Sequence, residues 1–502
     1  MDFLQQQLVE PLSNLLSTHV LIYLLIGGGA YFTVRTRFIQ IRYFGRMLRQ
    51  LRRAHHYDGG ISSFQAFCVG LASRVGTGNI AGVAIALTVG GPGAVFWMWV
   101  VAAVGMATAL IEATLAQIFK VRSDDGAFRG GPAFYIERGL RSRAGGIAFA
   151  MLLVVTFSTA FNMVETNAIS GVLQSSHGVG VGWTTAVLAV LAAPVLFGGV
   201  RRVAQFAGSV LPVVALAYTL LALGIVAVNI TELPMVIREI IGGAFGIRQM
   251  AGGFAGGVLA AMFTGVKRGL FACEAGMGSS PNIAGAATVR HPVEQGLIQS
   301  LAVFVDTMVI CTATAFIVLL SGPETYNPAR LGAVAGASLT ESAIAADLGS
   351  WTTVLMTAVV FVFAFASVLS NYVVAEANLF YLGGRRLAAN VLKVVTLLSI
   401  VFGALAKLTL VWALADLTMA VMAIANLVTI CLLGKWAFAA LRDYHRQFAQ
   451  GGAPVFVASE AALPGVLDGG IWEPAERRQV GALPESLTMR RPALRFSRAP
   501  AA

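Results

Sequence analysis

The chain reads Arg74-Val75-Gly76-Thr77-Gly78-Asn79-Ile80-Ala81-Gly82 at one point and Glu274-Ala275-Gly276-Met277-Gly278-Ser279-Ser280-Pro281-Asn282-Ile283-Ala284-Gly285 at another. Both stretches contain a charged residue, a small apolar residue, Gly-x-Gly and then Asn-Ile-Ala-Gly, with three residues inserted in the second copy. Glycine costs about 1 kcal/mol relative to alanine inside a helix. Since both stretches lie in long apolar segments, they predict two helices that are interrupted halfway.

The surrounding composition is typical of a membrane protein. Of the 502 residues, 57% are hydrophobic and 12% are charged, whereas about 25% are charged in a soluble domain. The apolar residues fall in long runs, and about 20 of them form one helical span across a hydrocarbon core of roughly 30 Å. Strand-like alternation is absent, which argues against a barrel. We therefore predict an all-α polytopic membrane protein.

Eleven apolar segments are predicted to cross the bilayer. Their approximate bounds are 18–34, 61–89, 93–120, 145–173, 183–200, 206–229, 251–285, 294–321, 351–382, 386–406 and 409–440. The second and the seventh segment hold the two glycine stretches. Since five helices separate their starts, the two copies cross in opposite directions. Paired interrupted helices in inverted repeats are typical of secondary transporters.

The net charge of +11 does not indicate a nucleic-acid partner, because most basic residues lie in loops on one side of the membrane if eleven spans alternate. Those loops hold Arg35, Arg37, Arg42, Arg46, Arg49, Arg52 and Arg53, then Lys120, Arg122, Arg129, Arg138, Arg141 and Arg143, then Arg201 and Arg202, and finally Arg385 and Arg386. Positive loops stay cytoplasmic. The sequence thus predicts a plasma (inner) membrane protein with its N-terminus outside and its C-terminus in the cytoplasm.

The predicted regions follow from these spans. They are an extra helix with a basic loop (1–60), a first five-helix repeat (61–230), an external connection (231–250), a second, inverted repeat (251–440) and a cytoplasmic tail (441–502). From about residue 451 the composition is rich in Gly, Pro, Ala, Glu and Arg without a helical period, so the tail is predicted to be largely disordered. Four cysteines lie in apolar segments without metal-ligand spacing, and no disulfide or cofactor is predicted.

Interrupted helices offer backbone groups as ligands. The free N–H groups at such a break carry partial positive charge and suit a carboxylate, and the free C=O groups suit Na⁺. Because unsatisfied groups are costly at that depth, ligands or side chains must complete them. The alternative is that the glycines only allow close helix packing. Packing alone would not require a charge beside both breaks.

At these residues the sequence resembles the alanine/glycine:cation symporter (sodium:alanine symporter) family of the amino acid–polyamine–organocation superfamily. The similarity covers roughly 60–440 and includes Gly70-Leu71-Ala72-Ser73-Arg74-Val75-Gly76-Thr77-Gly78-Asn79-Ile80-Ala81-Gly82-Val83, Gly90-Gly91-Pro92-Gly93-Ala94-Val95-Phe96-Trp97-Met98-Trp99, Gly130-Gly131-Pro132-Ala133-Phe134-Tyr135-Ile136-Glu137 and Glu274-Ala275-Gly276-Met277-Gly278-Ser279. It implies one extra helix followed by a leucine-transporter-like 5+5 inverted repeat. It also implies import of alanine, glycine or a close relative with Na⁺ by alternating access.

The resemblance also implies a ligand set. It places the substrate carboxylate on the backbone of Gly76, Thr77 and Gly78. It places Na⁺ against the carbonyls of Ala72 and Val75 and the hydroxyl of Ser367. Asn79 is expected to serve a second cation or the substrate, and Phe271 is either an apolar lid or ordinary helix packing. The predicted substrate-binding residues are Gly76, Thr77, Gly78, Asn79, Glu165, Phe271, Cys273, Glu274 and Gly276.

Three residues depart from the family pattern. Glu165 stands where the family usually has Gln, Cys273 stands where it usually has Asn, and Ala366 precedes Ser367 where related transporters often have two hydroxyls. A lost hydroxyl would weaken sodium coordination. The extra carboxylate of Glu165 would bind the substrate ammonium, take part in proton coupling or favour a more cationic substrate.

Charged residues inside membrane spans are costly and usually functional. Arg74 and Glu274 occupy equivalent positions with opposite sign, so they either pair or cap backbone groups separately. Four further acidic residues in or near spans are interpreted as interfacial or structurally paired. They are Glu112, Asp306, Glu376 and Asp416.

Three rival functions remain at this stage. Proton coupling through Glu165 or Glu274 is the alternative to sodium, and an ion channel is a weaker one, because channel filters also use backbone carbonyls. An enzyme is disfavoured, because the six histidines are scattered and form no His-Glu-x-x-His pattern.

Overall fold

The computed structural model describes residues 5–52, 61–123, 126–197, 200–246, 255–327, 336–384, 386–467 and 470–473. These residues are almost entirely helical, with one antiparallel pair of short strands, β1 (Val121–Arg122) and β2 (Phe128–Arg129). The helices are α1 (Gln5–Arg35), α2 (Ile39–Arg42), α3 (Phe44–Arg52), α4 (Ser63–Arg74), α5 (Ala81–Gly90), α6 (Gly93–Ile118), α7 (Pro132–Gly139), α8 (Arg143–Ser158), α9 (Ala160–His177), α10 (Val181–Phe197), α11 (Val200–Val228), α12 (Leu233–Phe245), α13 (Ala255–Cys273), α14 (Ser280–Ala286), α15 (Pro292–Leu320), α16 (Ala337–Leu348), α17 (Thr352–Tyr381), α18 (Arg386–Leu405) and α19 (Leu408–Ala449).

Several of these helices can cross a membrane. Within the described residues, eight helical stretches are long and apolar enough to cross a membrane, with α8 and α9 counted together as one stretch. The number is nine if the bent pair at 63–90 also counts as one span. Each of the nine coincides with a predicted segment, which confirms a polytopic membrane protein. The two other predicted segments, 183–200 and 251–285, correspond to α10 and to α13 with α14. The count of eleven and the inverted repeat stay predictions.

The first glycine stretch interrupts a helix as predicted. Ser62 and Gln65 form a capping box that fixes the start of α4. The helix ends at Arg74, a single 3₁₀ turn follows at Thr77–Asn79, and α5 continues with a bend of 59° between the two parts. We call residues 75–80 the first break.

The second glycine stretch interrupts another helix by a different route. Glu274, Gly276 and Gly278 all have positive φ, at 51°, 85° and 88°, a region that glycine enters without a steric penalty. A Cβ atom on Gly276 would lie 2.7 Å from Leu427 Cδ2, so the site has no room for a side chain. Pro281 lies in the first turn of α14, where its missing N–H is not needed. We call residues 274–279 the second break.

The two breaks lie at the centre of the helix packing. α13 packs on α5 and α6, and α6 also packs on α15. On another side, α9 packs on α17 and α18. All residues of 71–80 and 270–285 are buried, so the backbone groups freed by the breaks must find partners within the protein.

Part of the C-terminal tail packs against the helical body. Residues 451–467 and 470–473 contain no helix or strand, as their composition predicts, but they are not detached. Trp472 Nε1 donates to the Gln117 carbonyl at 3.1 Å, and the Lys120 ammonium lies 4.5 Å from the centre of the Trp472 ring. Phe456, which packs edge-on against Trp472, is 3% exposed. The sequence predicted no ordered packing here. Residues 474–502 lie outside the described residues.

Replacing Trp472 by alanine is expected to release this tail segment. The change removes the aromatic contacts with Phe456 and Lys120 and the hydrogen bond to Gln117, which together stabilise the docked form by about 1–3 kcal/mol. Limited proteolysis of purified protein, with cleavage sites mapped by mass spectrometry, should show cutting within 451–467 roughly tenfold faster. Val466→Ala is the control, because Val466 is 89% exposed. Equal cleavage in both variants would show that Trp472 does not hold the tail.

Candidate functional site

A carboxylate from another helix caps the first break. The Gly76 N–H is directed to the Arg74 carbonyl at 2.9 Å and to Asn79 Oδ1 at 3.3 Å. The Thr77 N–H donates to Glu165 Oε2 on α9 at 3.0 Å. An exposed helix N-terminal N–H group attracts anions. The first break therefore binds a carboxylate, and here that carboxylate is supplied by the protein itself.

The predicted sodium ligands lie beside the same break. Ser367 on α17 donates its hydroxyl to the Ala72 carbonyl at 3.2 Å, and Val75 is fully buried next to Gly76. A Cβ atom placed on Gly76 would clash with Ser367 Oγ and lie 2.8 Å from Glu165 Oε1. Hydroxyl and carbonyl oxygens are hard ligands of the kind that alkali cations use. The donor chemistry of this position therefore fits Na⁺.

Asn79 connects the first break to α15. Its Nδ2 donates to Asp306 Oδ1 at 2.7 Å and to the Asp306 carbonyl at 3.2 Å. Asp306 is fully buried, also accepts a hydrogen bond from Thr307, and lies in a π-helical segment, Phe304–Cys311, inside α15. Such π-helical segments occur frequently at functional sites. Both polar atoms of the Asn79 side chain therefore have partners within the protein: Nδ2 donates to Asp306, and Oδ1 accepts from the Gly76 N–H.

The second break is capped in a similar way by a different carboxylate. Glu112 on α6 accepts from the Gly276 N–H through Oε1 at 3.1 Å and from Asn426 Nδ2 through Oε2 at 3.0 Å. Asn426 on α19 also donates to the Gly276 carbonyl at 2.9 Å and accepts from the Tyr135 hydroxyl. Both carboxylate oxygens of Glu112 therefore accept hydrogen bonds, and Glu112, Asn426 and Gly276 form a closed ring of hydrogen bonds.

Arg74 and Glu274 do not form an ion pair in the described part of the chain. Arg74 donates from Nε to the Cys273 carbonyl at 2.8 Å and from Nη1 to Gln299 Oε1 at 2.9 Å. Glu274 accepts from the hydroxyls of Ser73, at 3.1 Å, and Ser279, at 2.6 Å. Each charged side chain thus has one partner across the two interrupted helices: Arg74 bonds to the Cys273 carbonyl, and Glu274 bonds to the Ser73 hydroxyl. The helices are linked through this carbonyl and this hydroxyl rather than through a direct ion pair.

An aromatic cluster forms the wall of the first break. The Phe271 ring stacks on Phe161 with a centroid distance of 4.9 Å and contacts Trp412 at 4.7 Å. A Cβ atom on Gly78 would lie 2.8 Å from Phe271 Cδ1, so this ring packs directly on the broken backbone. Trp412 is held in turn by the Arg268 guanidinium, 4.2 Å from its ring centre, and Arg268 pairs with Asp416.

The structure groups the predicted residues into two neighbouring sets. Around the first break it brings together Ala72, Val75, Gly76, Thr77, Gly78, Asn79, Glu165, Phe271 and Ser367. Cys273, Glu274 and Gly276 belong to the second break. Glu112 and Asp306, which the sequence analysis interpreted as interfacial or structurally paired, are buried and paired, and their partners include Gly276 of the second break and Asn79 of the first. The sequence feature that marks both Glu112 and Asp306 as buried polar residues is a carboxylate inside an apolar segment.

Comparisons of the whole chain with known proteins find relatives that are named as carriers and symporters. The family model described as "Sodium:alanine symporter family" matches residues 1–458. The "Amino-acid carrier protein AlsT" of Bacillus subtilis is 46% identical over 453 residues, which cover 90% of this chain and 95% of that protein. The "Probable sodium/glutamine symporter GlnT" of the same organism is 44% identical, with 90% and 94% covered. Its "Putative sodium/proton-dependent alanine carrier protein YrbD" is 39% identical, with 93% and 97% covered.

Replacing Arg74 by methionine is expected to destabilise the protein. Methionine is unbranched like the arginine stem but cannot donate a hydrogen bond, so the change leaves the buried Cys273 carbonyl without its donor, and a buried acceptor without a partner costs about 1–3 kcal/mol. The apparent melting temperature of purified protein should fall by about 1–3 °C, because a chain of 502 residues has a large entropy of unfolding. Arg238→Met is the control, because Arg238 on α12 is exposed. A similar shift in both variants would contradict the capping role.

Proposed function

The chain belongs to the sodium:alanine symporter family, and from that premise we propose that it imports a small neutral amino acid of the alanine or glycine class together with Na⁺ by alternating access. Family membership supports a cation-coupled amino-acid transporter in a membrane that the chain crosses several times. The family consists of transporters and not of enzymes. The identity of the ion, the substrate and the residues that bind them are the proposal.

The backbone of Gly76, Thr77 and Gly78 binds the substrate carboxylate in this proposal. The single observation that carries it is the hydrogen bond between the Thr77 N–H and the Glu165 carboxylate at 3.0 Å. It supports the proposal because a carboxylate, the group that an amino-acid substrate would present, already accepts a hydrogen bond from the Thr77 N–H. Glu165 then lies beside the substrate, where it receives the ammonium group. Asn79, Cys273, Glu274 and Gly276 shape the backbone of both breaks rather than contact the side chain of the substrate.

Sodium binds next to the substrate, at the end of α4. Its ligands are the carbonyls of Ala72 and Val75 and the hydroxyl of Ser367. The hydrogen bond between Ser367 and Ala72 already joins α17 to α4, the two helices that carry these residues. A cation there lies against the C-terminal end of a half-helix, whose free carbonyls carry partial negative charge. It would also link α17 to the first break, so that binding of the ion prepares the substrate site.

The aromatic wall favours a short substrate side chain. Phe271 packs on Gly78, and in the proposal it closes over the substrate as an apolar lid. Phe161 and Trp412 leave it little freedom to move away. Glutamine is the second candidate, because one relative is named a sodium/glutamine symporter. It would require this wall to open further.

Alternating access fits the burial of both breaks. All residues of 71–80 and 270–285 are buried, as expected for an occluded conformation that opens to one side at a time. We propose that α4 to α11 and α13 to α19 contain the two inverted repeats, with the N-terminus outside and the C-terminus in the cytoplasm. A proton is the second candidate for the coupling ion, because one relative is named a sodium/proton-dependent carrier and Glu165 is an acid at the site.

Sodium-driven uptake is the direct test of this function. Purified protein in proteoliposomes should accumulate radiolabelled alanine under an inward Na⁺ gradient and should not do so under an inward H⁺ gradient at matched membrane potential. Uptake should saturate with alanine, which a channel would not show. Uptake driven by protons alone would replace Na⁺ by H⁺ in the proposal. Uptake of glutamine but not of alanine would replace the substrate.

Replacing Ser367 by alanine is expected to weaken sodium coupling. The change removes one oxygen ligand and leaves the backbone ligands in place, so the half-saturating Na⁺ concentration for alanine uptake should rise roughly tenfold. Ser399→Ala is the matched control, because Ser399 is a buried serine whose hydroxyl bonds within its own helix, to Thr396 at 2.7 Å. An unchanged Na⁺ dependence in Ser367→Ala would remove Ser367 from the ion site.

A further inference from the structure

Glu165 holds the backbone donor that the proposed substrate also needs. Its Oε2 lies 3.0 Å from the Thr77 nitrogen, and the neighbouring Gly76 N–H is already directed to Arg74 and Asn79. Each backbone N–H group is a single donor. Two carboxylates at this donor would also repel each other at short range. The Glu165 carboxylate and a substrate carboxylate therefore cannot occupy this position together.

The second break shows what a permanent carboxylate cap looks like. Glu112 receives hydrogen bonds at both oxygens, from Gly276 and from Asn426, and Asn426 is itself fixed by Tyr135 and by the Gly276 carbonyl. Among the described residues, Glu165 receives its hydrogen bonds from Thr77 alone. Glu112 cannot leave without breaking a network, whereas Glu165 can leave by breaking its contacts with one residue.

Glu165 also lacks a permanent counter-charge. In the described part of the chain no lysine or arginine forms an ion pair with it, and Arg74, the basic residue at the end of α4, is directed to Cys273 and Gln299. Carboxylates inside a membrane usually have a paired group or face a pathway. A transported ammonium group would supply the missing positive charge.

We propose that Glu165 is an exchangeable internal ligand that competes with the substrate carboxylate for the Thr77 N–H group, and that the displaced Glu165 then receives the substrate ammonium. The proposal rests on the proposed function, because it assumes that the substrate carboxylate binds at the first break. It makes Glu165 the residue that restricts the site to zwitterions. A zwitterion supplies both groups, a carboxylate to replace Glu165 on Thr77 and an ammonium to pair with it.

Substrate analogues that lack one of the two groups should be rejected for different reasons. Propionate has the carboxylate of alanine but no ammonium, so its binding would leave the displaced Glu165 without a partner beside a second negative charge. Alaninamide has the ammonium but no carboxylate, so it can approach Glu165 only while Thr77 keeps its internal ligand. Propionate is thus excluded by the charge of Glu165, whereas the weak binding that remains for alaninamide depends on that charge.

The Glu165→Gln variant tests the role of the charge. Inhibition of sodium-driven alanine uptake into proteoliposomes is measured with propionate and with alaninamide. In the variant, the inhibition constant of propionate should fall by at least roughly tenfold, and that of alaninamide should rise by a similar factor. Glu232→Gln is the control, because Glu232 is exposed and both constants should stay at wild-type values. Equal changes for both analogues, or none, would overturn the proposal.

The Glu165→Asp variant tests the competition separately. Its side chain keeps the charge but is one methylene shorter and no longer reaches Thr77, so the KM for alanine should fall several-fold while propionate stays excluded. This variant also serves if Glu165→Gln does not fold, and an unchanged or raised KM would overturn the competition. If the wild type takes up alanine but the variants behave otherwise, only this inference fails. If the wild type takes up no alanine, the proposed function fails and the inference with it.

Discussion

Two helices of this protein lose backbone hydrogen bonds deep in its buried core, and side chains from other helices must replace them. A free N–H or C=O group at that depth costs several kcal/mol, which is why charged residues meet at the breaks despite their own cost. Glu165 and Glu112 each cap an N–H group, on Thr77 and Gly276, and Arg74 caps a carbonyl, on Cys273. The positions of α4, α6 and α9 around the breaks meet this requirement, because Arg74, Glu112 and Glu165 lie on those helices.

The two caps satisfy the same requirement in different ways. Glu112 belongs to a closed network with Asn426 and Tyr135, which makes the second break a fixed part of the scaffold. The first break is closed by Glu165 through Thr77 alone among the described residues, and it lies beside the oxygens of Ser367 and Ala72. A transporter needs a binding site that can exchange its ligand, and it needs surrounding structure that stays in place during the exchange. The difference between the two caps assigns the first role to the first break and the second role to the second break.

Much of this could be predicted from residue patterns, because apolar runs and Gly-x-Gly act locally. The structure bears out nine of the eleven predicted spans by length and composition, and the glycines predicted both breaks. Which groups would cap the breaks could not be predicted, since Glu112 lies 164 residues from Gly276 in the chain. The sequence left open whether Arg74 and Glu274 pair or act separately, and it could not predict the partners that they have, the Cys273 carbonyl and the Ser73 hydroxyl. The tail shows the same limit, because its composition resembles a disordered segment while Trp472 has a partner far away in sequence.

Two of the residues that the family resemblance singles out meet at Gly76. Ser367 Oγ and the Glu165 carboxylate would both lie within 3 Å of a Cβ atom on Gly76, so the hydroxyl and the carboxylate share one small volume beside the first break. Glu165 is the position where the resemblance leads us to expect an amide, and its carboxylate adds negatively charged oxygen to this volume. The proposed sodium ligands and the proposed exchangeable ligand are therefore not independent. A change in the position of Glu165 alters the electrostatic environment of the hydroxyl that the proposed cation uses.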